Sequence, residues 1–244
     1  MVLEVAIMVL ISILLAGCSS YSTMTNVYIL GLSYTNSSLA GLSPIGQNIS
    51  TTFNSLKGAS SLEVRTGFFG MCVRQKGVVW LCSADTNGLR EQIGAENDPL
   101  DLIGTAAHFK NDVLFSGLLF MVVVITFAAF LMLSTFPGWH EARDERTGSD
   151  VDVKPFPSRP VSQAALACCF VAATLLLVSS LWQHVGAVGA AAMADAAFFG
   201  NVKTAIGSTA MLLSWIGFAV AAVSTIALLV MIISIIILDK LTDE

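Results

Sequence analysis

Five cysteines and three histidines are the residues of this sequence best suited to bind a metal or attack a substrate, and their spacing does not gather them. His108, His140 and His184 fall on different segments. Cys168 and Cys169 sit inside an apolar run and Cys18 closes another. Cys72 and Cys82 alone form a pair in polar surroundings, and they are expected to be joined as a disulfide. No His/Cys spacing of a zinc site occurs. The remaining ligand cluster is acidic, formed by Asp85, Asn87, Glu91, Glu96, Asp98 and Asp101. Asp85-Thr86-Asn87-Gly88 starts like an EF-hand loop but puts Leu89 where an oxygen ligand belongs, and Arg90 beside it lowers the charge density. A solvated loop face is the ordinary reading of these acids, and a weak calcium site on Asp85, Glu96, Asp98 and Asp101 is the alternative. With no poised nucleophile and no convergent titratable groups, catalytic residues, an enzyme activity and a resident cofactor are not expected.

The elements that must position these residues are set by apolar runs. The chain has 244 residues, of which 55% are apolar and 12% charged, with a mean hydropathy of +0.77, which is a membrane composition. The formal net charge of -5 includes no basic block, which sets nucleic acid aside as a partner and leaves membrane lipid. A bilayer core of about 30 Å takes about 20 residues of helix. Spans are expected at 2–21, 113–137, 161–186 and 208–238. They leave a long outer loop at 22–112, a loop at 138–160, a second outer loop at 187–207 and a tail at 239–244. The first run is short and must borrow Cys18 through Tyr21. Leu15-Ala16-Gly17-Cys18 followed by two serines also looks like a lipobox, in which the signal is removed and Cys18 acylated. The missing positive n-region, with Glu4 as the only early charge, favours the uncleaved span.

Arg143, Arg146, Lys154 and Arg159 load the 138–160 loop, whereas Lys203 is alone in the 187–207 loop, so the positive-inside rule places 22–112 outside the cell. Sequons at Asn36 and Asn48 agree, as does a cysteine pair that needs an oxidising compartment. Glu4 lies at the extreme end of its run and His184 at the outer end of the third span, and the cores of the second to fourth spans are read as holding only Ser, Thr and Gly as polar or small groups. That emptiness argues against a pore. Ser214, Gly217 and Ala221 suit close helix packing, and Cys168 and Cys169 read as packed core thiols in preference to palmitoylation sites.

Within the outer loop, Val27 to Tyr34 reads as a strand and the Ser/Gly/Asn-rich Asn36 to Ser61 as irregular chain. Leu62 to Val73 and Val78 to Cys82 read as a hairpin, Asn87-Gly88 as a turn, and Gly94 to Phe109 as a short helix. A turn tight on Gln75-Lys76 would set Cys82 against Phe69, so pairing it with Cys72 requires a wider turn or a bulge.

Gly67-Phe68-Phe69-Gly70-Met71-Cys72, with Cys82 farther on, resembles the signature of the fungal Fig (factor-induced gene) family of calcium regulators and membrane fusion proteins. That signature is a glycine, two hydrophobics, a glycine, one free position and a cysteine, followed by a second cysteine. Phe69, Cys72 and Cys82 also resemble the claudin signature, with Phe69 in place of its tryptophan. Where claudins carry a further tryptophan on the first strand of the loop, Tyr28 and Tyr34 stand here, and tight-junction function is not carried over. The resemblance implies a membrane all-α four-helix bundle, claudin-like, capped by a small extracellular β-sheet. It further implies a multi-pass plasma-membrane protein that promotes calcium influx and membrane or cell fusion during fungal mating. Such a protein would act as a regulator and not the pore, with membrane-protein partners or as a homo-oligomer. A structural scaffold that organises a membrane domain or a cell contact is the alternative.

Overall fold

The computed structural model describes residues 1–19, 24–36, 43–77, 79–136, 140–143, 150–153 and 158–242. It is mostly helical, with a small antiparallel sheet. Helices α5 (Gly117–Ser134), α6 (Arg159–Ala197) and α7 (Ser208–Thr242) carry segments long and apolar enough to cross a membrane. Helix α1 (Val2–Ala16) is apolar and shorter. It lies against α5 and α7, and α6 lies against the same two, so the helix contacts close into a circuit. Ile7, Ile11, Leu14, Leu119, Val122 and Leu176 are at most 1% exposed and fill the interior. Close approach is arranged by small residues. A Cβ on Gly217 would lie 3.2 Å from the Ile11 side chain, and the Ser180 and Ser214 hydroxyls meet at 2.6 Å between α6 and α7.

That interior is not free of ionisable groups, which corrects the reading of Glu4 as a terminal residue outside the packing. Glu4 is 1% exposed, and its carboxyl accepts hydrogen bonds from the Ser224 hydroxyl of α7 and, at 3.5 Å, from the Cys169 thiol of α6. One turn into α1, the carboxyl is also favoured by the helix N-terminus.

The five-stranded sheet has the order β4-β3-β2-β1-β7 and draws on both long connections. Its strands are β1 (Leu30–Tyr34), β2 (Leu62–Thr66), β3 (Met71–Gln75), β4 (Trp80–Ser83) and β7 (Val202–Ile206). Strands β5 (His140–Arg143) and β6 (Asp150–Val153) form a separate hairpin between α5 and α6. Leu62, Val64 and Thr66 point into the core and Glu63 and Arg65 away from it, the period-two alternation of a one-sided sheet.

Three local readings change. The stretch expected to be irregular contains α2 (Pro44–Lys57), which starts with Ser43 capping the Gly46 N–H and Pro44 in its first turn. Asn87-Gly88 is not a turn; it lies in α3 (Thr86–Ile93), capped by Asp85. Leu62 to Val73 is two strands, because the chain reverses at Gly67–Gly70, where the Gly67 N–H donates to the Gly70 carbonyl at 2.9 Å. The short helix before the second span is α4 (Leu102–His108), continued by one π-helical turn, Phe109–Val113. Helix α6 runs on past the expected span end at 186, so that 39 residues, about 58 Å at 1.5 Å each, carry the chain up to β7.

Candidate functional site

The Gly67-Phe68-Phe69-Gly70 stretch forms the tip of the β2–β3 hairpin, and this tip is where the sheet sits on the helices. A Cβ on Gly67 would lie 2.1 Å from the carbonyl oxygen of Gly17, and one on Gly70 would lie 2.5 Å from that of Cys18. Gly17 is in turn wedged, its Cβ position 2.3 Å from the Val27 carbonyl oxygen. Three glycines therefore let backbone meet backbone where the chain leaves α1. The two phenylalanines divide the contact. Phe68 is buried in the core, while the half-exposed Phe69 packs on Phe120 of α5 with ring centroids 5.6 Å apart.

The strands behind the tip carry the disulfide. Cys72 and Cys82 are direct cross-strand partners with Cα atoms 4.0 Å apart and are joined. Arg74 opposite Trp80 makes the turn the wider one that this pairing requires. Arg65 neighbours Cys72 on the same face, and its guanidinium lies 4.7 Å from the Tyr28 ring and 4.4 Å from the Trp80 ring. Arg74 covers Trp80 at 4.7 Å, and Glu63 pairs with both arginines. These partly exposed pairs add little individually and act as a network that holds the outward side of the sheet. Replacing both cysteines by alanine is expected to cost roughly 2 to 3 kcal/mol through loop entropy. A lower melting temperature of the purified chain would show it, while the register, held by the paired backbone from Met71 to Arg74, persists.

Three of the acidic residues, Asp85, Asp98 and Asp101, are placed as caps. Asp98 accepts from the Tyr34 hydroxyl at 2.7 Å and from the Leu102 and Ile103 N–H groups at 2.8 and 2.9 Å. Burial first, and then this hydrogen bond to a carboxylate, raise the Tyr34 phenol above its usual range. Asp101 caps α4 through the Gly104 N–H and pairs with Arg90, and Asp85 caps α3. The Glu96 backbone carbonyl accepts from Ser60. Among the described residues, no three His, Cys, Asp or Glu side chains converge in a way that would hold a metal ion. Asn36 accepts from Lys57 at 3.0 Å, with the rest of its sequon outside the described residues, and Asn48 is exposed on α2.

The family model described as "Ca2+ regulator and membrane fusion protein Fig1" matches residues 48–234, from within α2 to within α7. The chain belongs to the Fig1 family. No curated protein matches it. The Fig1 family is one of calcium regulation and membrane fusion and not an enzyme family, and its membership together with three long apolar helices makes this a membrane-associated protein. The Fig1 match begins beyond α1 and β1, so the glycine tip lies inside the matched region and its seat, Gly17-Cys18, outside it. That seat was not legible as such. Cys18 has a positive φ of 49°, is fully buried, and donates its thiol to the Thr25 carbonyl at 3.8 Å, so Gly17-Cys18 has a packing role where a lipobox was the competing reading. Glu4 with Ser224 and Cys169 is the second feature missed in this Fig1-family chain, and Asn201, which bonds Ser50 and ties α2 to the start of β7, is the third.

Proposed function

We propose that this chain is a multi-pass plasma-membrane protein of mating fungal cells that promotes calcium influx and membrane fusion by regulating a pore formed by other subunits. In this reading α1, α5, α6 and α7 all span, as a claudin-like four-helix bundle with the sheet outside the cell. The family match over residues 48–234 is the observation that carries it. The regulator role is supported by the packing of Ile7, Ile11, Leu14 and Leu176, each at most 1% exposed where the helices meet. The disulfide-stapled sheet is held against α1 by backbone contacts, an arrangement suited to passing a change at the sheet into the helices.

Deleting the gene is expected to abolish the calcium uptake that accompanies mating and to lower fusion, and re-expression to restore both. Purified protein alone in liposomes is expected to carry no calcium flux above that of empty vesicles. A flux without partners would overturn the regulator reading. Normal calcium uptake with impaired cell contact would favour the scaffold.

A further inference from the structure

A cavity of about 360 Å³ opens between the π-helical turn and the part of α6 that runs beyond membrane length. Its walls are apolar: Phe109 and Val113 from the turn, Ala190 and Ala194 from α6, and Leu30 from β1. The polar residues among them include His108 and Asp112, which are 3.3 Å apart and 85% and 68% exposed, so they stand at the opening. The π turn makes this arrangement. The Leu114 N–H reaches back to the Phe109 carbonyl at 3.2 Å, and such turns recur at functional sites.

The depth of the cavity says what reaches it. Trp182 is exposed and donates its indole N–H to the Val113 carbonyl at 2.8 Å, and tryptophan with one wet edge is the residue of the membrane interface. Val113 is itself a wall of the cavity, and the exposed Phe115 and Val185 continue the apolar surface toward the lipid-facing sides of α5 and α6. With Trp182 at the interface, the cavity lies on the sheet side of the acyl region, and the apolar surface of Phe115 and Val185 leads up to it.

We propose that this cavity takes one acyl chain of a phosphatidylethanolamine from the sheet-side leaflet, with His108 facing its phosphate and Asp112 its ammonium. The acyl chain matches the apolar walls, the ring N–H of His108 can donate to a phosphate, and the Asp112 carboxylate can accept from ammonium N–H groups, which phosphatidylcholine lacks. The test uses the full chain in phosphatidylcholine nanodiscs containing a phosphatidylethanolamine with a photoreactive diazirine in its acyl chain. Crosslinks are expected on 105–113 and 190–198 in addition to the lipid-facing Phe120, Val124 and Phe127. Ala190→Phe, which fills the cavity, is expected to lower crosslinking at the first two segments about tenfold, equivalent to about 1.4 kcal/mol, and to leave the lipid-facing labels unchanged. Asp112→Asn, at an exposed position that keeps the fold, is expected to lower labelling by this lipid and not by a phosphatidylcholine probe, and it carries the test should Ala190→Phe fail to fold. Labels confined to the lipid-facing residues, or labels indifferent to both substitutions, would each overturn the proposal.

Discussion

Replacing Gly67 or Gly70 by valine is expected to undock the sheet from the end of α1 and to abolish activity while leaving the disulfide able to form. The added Cβ atoms would stand 2.1 Å from the Gly17 carbonyl oxygen and 2.5 Å from that of Cys18. Carbon and carbonyl oxygen ordinarily approach no closer than about 3.3 Å. Backbone atoms cannot rotate aside as a flexible side chain can, and Gly17 is already held by Val27, so the hairpin tip must lift by about 1 Å. Overpacking of this kind costs about 3 kcal/mol or more at its upper end, and valine adds bulk beyond alanine. Gly189→Ala is the matched control, since a Cβ there meets nothing within 4 Å and a helical glycine gains about 1 kcal/mol on becoming alanine. Melting of the purified variants should therefore place Gly67→Val and Gly70→Val well below the parent and Gly189→Ala at or above it. Calcium uptake in cells should follow the same order. Equal tolerance at Gly67 and Gly189 would show that the sheet is not seated as described.

What could be read ahead of the structure divides by the range of the interactions concerned. The long apolar helices follow from composition within single runs, and the disulfide from the isolation of Cys72 and Cys82 in polar surroundings, whereas the strand register around it did not follow from a tight turn. Helix α2 escaped because its sequence, rich in Ser, Thr and Asn, shows no full apolar stripe; Phe53 packs on Phe198 and Phe199, far along the chain, and Ser50 bonds the Phe199 carbonyl. Local signals for it were present in Ser43, Pro44 and the closing Gly58. The hairpin tip reads as continuous strand because two phenylalanines are strong strand formers, and the reversal depends on glycines whose contacts lie at Gly17 and Cys18. The family signature thus marks the right residues, and close backbone approach is what two glycines there allow; what could not be read is that the approach is to Gly17 and Cys18. Glu4 is the extreme case, with partners 165 and 220 residues away.

Those distant partners give Glu4 a decisive set of substitutions. Glu4→Lys is expected to destabilise the chain by about 3 kcal/mol or more, because it buries a cation among apolar helices and sets its ammonium against two hydrogen-bond donors, Ser224 and Cys169. It also reverses the favourable sign at the start of α1. Glu4→Gln keeps an acceptor oxygen for the same donors and should cost about 1 kcal/mol. Glu4→Leu removes the acceptor, but Ser224 can turn its hydroxyl to a carbonyl of its own helix, and buried polar groups exchanged for well-packed apolar ones are often neutral. The expected order of melting temperatures is Leu near the parent, Gln slightly below and Lys far below. A leucine variant that melts near the parent separates two roles for the carboxyl. Loss of calcium uptake by a stable Glu4→Leu chain would mean that the carboxyl takes part in regulation; unaltered uptake would mean that it serves only to fix how α1 meets α6 and α7.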